Sequence, residues 1–178
     1  FMILLLSNLP ASASSGSAVF GGFESKPEKG RISFSNPGYE LNQILKDGSP
    51  FIKPEMEGAG SKAEPGQPDL PTMSTYYAVE PGKTFTVTVS IKESEVIENV
   101  EVVPFETWDS QPSGVVGKGV AYQQSSFFPA NIASVSDPMV FRDIVMVQVS
   151  VTPFQYNPVS KTLTVIQDVD LELVESGE

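Results

Sequence analysis

Three stretches of this chain hold residue types that chemistry can use. Asp168, Asp170 and Glu172 stand at alternate positions, Lys118 lies between Gly117 and Gly119, and Trp108, the only tryptophan, precedes Asp109, Ser110 and Gln111. Carboxylates are the hard oxygen ligands that Ca²⁺ prefers. Spaced by two along a strand, however, they point the same way without wrapping an ion, so the expected role is a solvated strip that guards a strand edge. A lysine on mobile, glycine-flanked backbone can be a cleavage point or a base that fits a partner's pocket, or it can be an ordinary solvated lysine. A lone tryptophan in a loop either anchors a partner, contributing roughly 2–4 kcal/mol of binding, or folds back over its own core. Both readings stay open at this stage.

Other chemistry is excluded by composition. The chain has no histidine and no cysteine. That removes Cys/His and Ser/His nucleophiles, histidine metal sites and disulfide staples together. A carboxylate-only or Ser/Lys enzyme survives the exclusion, yet no nucleophile, base and orienting group can be assembled along the sequence. No catalytic activity and no cofactor are therefore expected. The formal net charge of -11 repels nucleic acid and anionic membranes, so neither is expected as a partner of the mature form.

The elements that must position these residues read as strands. With 178 residues, 40% of them hydrophobic and 19% charged, the chain can bury one substantial core. Residues 1–14 resemble the end of a secretory signal peptide: Met2-Ile-Leu-Leu-Leu6, then Pro10 and the small residues Ala11 to Ser14. Export is expected on that basis, with a buried first strand as the alternative. Residues 15–30 read as a flexible linker and 31–178 as the folded domain. Arg31 to Ser35 alternates, Tyr39 to Leu45 is a strand or one turn of helix, and Phe51 to Met56 is a short strand. Phe85, Val87, Val89 and Ile91 alternate with threonine and serine, and Val96, Glu98, Val100 and Val102 suggest a further strand. Residues 139–152 and 163–173 are predicted to form a long hairpin around the turn Tyr156-Asn157-Pro158. No segment carries a capped helical stripe, so the fold class is an all-β antiparallel sandwich.

Three stretches, in order, carry a family resemblance. They are Gly66-Gln67-Pro68-Asp69-Leu70-Pro71; then Phe127-Phe128-Pro129 with Ser136-Asp137-Pro138 and Phe141-Arg142-Asp143; then Pro153-Phe154-Gln155-Tyr156-Asn157-Pro158 with Lys161-Thr162-Leu163. Over roughly Ala63 to Glu175 the chain resembles the N-terminal propeptide of gingipain-like C25 cysteine peptidases. The resemblance implies a jelly-roll-like sandwich that docks on a downstream C25 catalytic domain in cis. It implies a chaperone and inhibitor that keeps the zymogen latent during export through the periplasm to the cell surface or medium. It also implies that residues 104–119 form the loop that occludes the cleft, with Trp108, Asp109, Ser110, Gln111 and Lys118 as its candidate contacts. Here the chain departs from the arginine-specific members, because Lys118 is the only basic residue in that loop. The alternative is an adhesive or carbohydrate-binding sandwich, which needs Tyr76, Tyr77, Trp108 and Tyr122 in one aromatic row; a structural spacer is the third reading.

Overall fold

The computed structural model describes residues 21–26, 29–106 and 117–177. Twelve strands and one short 3-10 turn account for the regular structure of these residues. One sheet is built on β12 (Thr162–Gly177), which pairs with β2 (Arg31–Ser35), β11 (Phe154–Asn157) and β7 (Thr84–Ile97); β1 (Phe23–Ser25) pairs with β2. The other sheet is built on β10 (Ile144–Val151), flanked by β6 (Pro71–Ala78), β8 (Ala133–Val135) and β9 (Met139–Phe141), with β5 (Gly60–Ser61) beside β6. All these named pairings are antiparallel. A separate hairpin, β3 (Glu40–Lys46) and β4 (Ser49–Glu55), turns at Asp47 and Gly48, both with positive φ, as a two-residue primed turn requires.

The core follows from the alternation. Val147, Val149 and Val151 from one sheet and Phe34, Phe154, Leu163 and Val165 from the other are fully buried in a single cluster. Between Leu163 and Leu173, β12 and β7 each carry one bulge, at Gln167 and Lys92, and the two offset each other; a further irregularity on β12 falls at Ser176. The apolar phase therefore survives along the whole of β12, from Leu163 to Leu173.

Four expectations are corrected. Residues 139–152 and 163–173 do not form one hairpin: β10 and β12 lie in different sheets, and the turn after Asn157 joins only β11 to β12. Pro153 supplies no N–H for a ladder, so the chain leaves one sheet after Val151 and enters the other at Phe154. Two apolar faces stabilise the fold by meeting across the core, which side-by-side pairing would not achieve. Residues 139–152 are themselves a hairpin, with Arg142 at its tip (φ 55) beside the Phe141 ring. Nor do residues 96–102 form a strand of their own, since β7 runs on to Ile97 and ends before Asn99 (φ 59). The linker reading for 15–30 fails over Phe23–Ser25. Phe23 is buried against Phe34, ring centroids 5.0 Å apart, and Gly22 accepts from the Ser35 amide. A Cβ on Gly22 would sit 2.3 Å from the Ser35 carbonyl oxygen, so only glycine fits that entry. Residues 1–20, with the expected signal remnant, lie outside the described residues.

Candidate functional site

The described ends of the 104–119 segment converge on one residue. Val103 to Phe105 runs antiparallel to Gln67 to Asp69: the Asp69 amide donates to the Val103 carbonyl (2.9 Å) and the Phe105 amide to the Gln67 carbonyl (2.7 Å). Gly66 closes the seam, donating to the Phe105 carbonyl (3.1 Å) and accepting from the Gly119 amide (2.8 Å). Its φ of 85° belongs to glycine, and a Cβ there would stand 3.1 Å from the Gly119 nitrogen. On the other side, Glu101 and Val103 bond to Ile52 of β4, at 2.7 and 3.0 Å. The stretch 101–105 is thus a backbone rib held along both edges. The 3-10 turn Val120–Gln123 starts at the second foot, where the Tyr122 amide donates to the Gly119 carbonyl.

A charged cluster staples the two feet. Glu101, with 24% of its side chain exposed, takes Lys118 on one oxygen and Lys161 on the other, the latter at 2.9 Å. Lys118 holds its carboxyl below the usual carboxylate range, with Lys161 adding to the effect and burial opposing it. The Lys118 ammonium also lies 5.5 Å from the Phe51 ring centroid and 5.7 Å from that of Tyr122. Below it the Tyr122 hydroxyl donates to the Val102 carbonyl (2.7 Å), and its ring meets Tyr156 edge-on. Burial raises the Tyr122 phenol well above its ordinary range and pushes Tyr156 up to about 12. Lys46 of β3 reaches Glu106.

Of the five residues expected to contact a partner, only Lys118 is described; Trp108, Asp109, Ser110 and Gln111 lie outside the described residues. Lys118 is neither free nor merely solvated, because Glu101 and two rings engage it. The strip Asp168, Asp170 and Glu172 takes cross-strand partners: Ser35 donates to Asp168 (2.6 Å), Lys92 pairs with Asp170 and Arg31 with Glu172. Among the described residues no group of three metal-ligating side chains converges. Nor do the tyrosines form a row. Tyr76 is exposed, while the next residue, Tyr77, faces the other way and accepts the Gly30 amide (2.9 Å).

The structure does assemble one Ser/Lys grouping that the sequence hid. Lys62 donates to the Ser150 hydroxyl, which in turn bonds to Ser74, both at 2.8 Å. Ser150 is only 2% exposed, so no substrate carbonyl can reach it; the three groups satisfy one another beside the Thr72–Thr152 hydroxyl pair.

Parts of the stretches that carried the resemblance occupy this same end, whereas Phe141-Arg142-Asp143 lies at the tip of the β9–β10 hairpin, at the opposite end of β10. Gly66 to Pro71 forms the seam, Phe128 exchanges backbone bonds with Tyr156, and the Asn157 side chain accepts the Val159 and Ser160 amides, turning the chain so that Lys161 meets Glu101. Over residues 24–176 the sequence matches the Propeptide_C25 family. The chain belongs to that family. As a C25 propeptide it is 34% identical over 122 residues to gingipain R1 of Porphyromonas gingivalis, 65% of this chain and 12% of that protein. It is 32% identical over 127 residues to gingipain R2 of the same species, 65% of this chain and 16% of that protein. The chain therefore spans less than a fifth of the length of these relatives. Its fold is similar to a chain in the complex of Porphyromonas gingivalis RgpB pro- and mature domains, with TM-score 0.72, 26% identity and coverage of 88% of this chain and 84% of that one. A structure concerned with zymogenic latency of gingipain K, also from Porphyromonas gingivalis, shares the fold at TM-score 0.66 and 23% identity, over 83% of this chain and 87% of that one.

Glu101, Lys161 and the Gly66–Gly119 contact were not singled out from sequence. Gly66 and Lys161, inside the first and third resembling stretches, and the glycines flanking Lys118 carried a visible signal; Glu101 carried none.

Proposed function

We propose that this domain is the latency-maintaining propeptide of an exported C25 cysteine peptidase, a non-catalytic module that assists folding of the catalytic domain and blocks its cleft until proteolysis removes it. Membership of the propeptide family supports the role, and one geometric observation supports the mechanism. Both described ends of the 104–119 segment bond to Gly66, so the backbone at Phe105 and at Gly119 is brought to a single point. That is how a rigid scaffold presents a loop to a cleft. Because Glu101 occupies Lys118, occlusion is assigned to the stretch containing Trp108, Asp109, Ser110 and Gln111, with Lys118 serving the base.

The test begins with the reading frame that encodes this chain. A C25 catalytic domain within it, inhibited in trans by the full 178-residue chain and less well by its Trp108→Ala variant, is the expected result. A catalytic domain whose activity the chain leaves unchanged would overturn the inhibitory reading.

A further inference from the structure

We infer that Glu101 and Gly66 are positioning residues that fix the span between the feet of the 104–119 segment, and that this fixed footing sets how tightly the domain inhibits its peptidase; the inference rests on the latency reading above. A loop whose ends are already held loses less conformational freedom on entering a cleft, so more of its contact energy appears as affinity. Here the holding is unusually complete. The first foot is a rib bonded along one edge to Ile52 and along the other to Gln67 and Asp69. The second foot, Gly117 to Gly119, has one backbone bond to Gly66 and one cation, Lys118, delivered to Glu101. Lys161 takes the remaining carboxylate oxygen, tying both feet to the turn after β11.

The two glycines of the second foot also differ in how closely the seam packs on them. A Cβ at Gly119 would stand 3.0 Å from the Gly66 carbonyl oxygen, whereas a Cβ at Gly117 would meet nothing within 4 Å. Gly119 has φ -75°, which any residue adopts, so the crowding an alanine would meet there comes from the seam rather than from the backbone.

The experiment uses the full chain added in trans to the separately produced catalytic domain, at a temperature well below the melting point of every variant. The variants are Gly119→Ala, Gly117→Ala and Glu101→Gln, and hydrogen exchange at the Gly119 amide is followed in parallel. The footing predicts that Gly119→Ala and Glu101→Gln raise the inhibition constant about tenfold or more and speed exchange at residue 119. Gly117→Ala, whose Cβ meets nothing within 4 Å, should stay within about twofold of the parent. A merely structural contact would shift melting temperature without moving the inhibition constant under these conditions. If the parent chain inhibits and the first two variants inhibit equally well, the footing is overturned while the latency reading stands. Should the parent itself fail to inhibit, both fall.

Discussion

Glu101 and the strip Asp168, Asp170 and Glu172 are carboxylates facing cations or hydroxyls, yet their settings differ in kind. The strip partners come from neighbouring strands, Ser35 and Arg31 directly opposite and Lys92 from the β7 bulge, and Asp170 and Glu172 are 48% and 52% exposed. Glu101 is 24% exposed and receives lysines from two segments that the sequence keeps far apart, above two aromatic rings. Period-two spacing on a strand distributes charge over a surface. Convergence of separate segments on one half-buried group marks a place where the fold holds something in position. The acidic residues conspicuous in the sequence are thus the less informative ones.

The sharpest way to break this contrast is through the backbone. Gly66→Ala forces a side chain onto a φ of 85° and into the Gly119 backbone, whereas Gly82, with φ 77°, has open space around its missing Cβ. Both variants carry the left-handed penalty of about 1–2 kcal/mol. Only Gly66→Ala should add the steric cost, for a total loss of about 2–4 kcal/mol in urea unfolding. Equal losses at the two glycines would mean that the seam contributes nothing beyond backbone conformation.

A smaller effect is expected at alkaline pH, again confined to the loop base. Burial raises the phenols of Tyr122 and Tyr156, the latter to about 12, while in the unfolded chain a tyrosine ionises near 10. Their contribution to stability is complete below pH ~10 and is lost as pH rises through the folded values, on the order of 1 kcal/mol per pH unit for each group. Tyr39, donating to Glu95, is pushed up to about 12 as well. Absorbance titration should therefore show Tyr39, Tyr122 and Tyr156 ionising late, together with unfolding. Ionisation of Tyr122 and Tyr156 near 10 would contradict the packing under the Lys118 ammonium.

Much of the sandwich was legible because period-two alternation survives in Leu163 to Leu173, where one face is dry and the other wetter, and in Phe85 to Ile91, where it marks a strand although Val89 and Ile91 are exposed. What misled was connectivity. Alternation says which face of a strand is apolar but not which sheet receives it, so two strands that meet across the core read as a hairpin within one sheet. The loop base was hidden for a related reason. Glu101, Lys118 and Lys161 are ordinary surface residue types in loops and turns, and only the Gly66 seam and the Asn157 turn bring them together. Asn157 itself was legible, since a side chain that caps its own turn is a local matter.

The finest distinction compares the two acidic groups directly. Glu101→Gln leaves Lys118 and Lys161 without their charged partner and should cost about 1 kcal/mol at neutral pH. Asp170→Asn and Glu172→Gln lose single exposed pairs and should each stay within about 0.5 kcal/mol. The pH dependence gives the contrast its sign. Because the folded Glu101 carboxyl titrates below its unfolded counterpart, its contribution is present above the unfolded value near 4.3 and fades as pH falls through the folded one. The gap between parent and Glu101→Gln should therefore close as the solution is acidified below pH ~4, and persist in 0.5 M salt better than any gap for Asp170→Asn, whose pair is more open to screening. A gap that stays constant down to pH ~3 would show that Glu101 acts through its shape and hydrogen bonds rather than its charge, and the footing would then be steric alone.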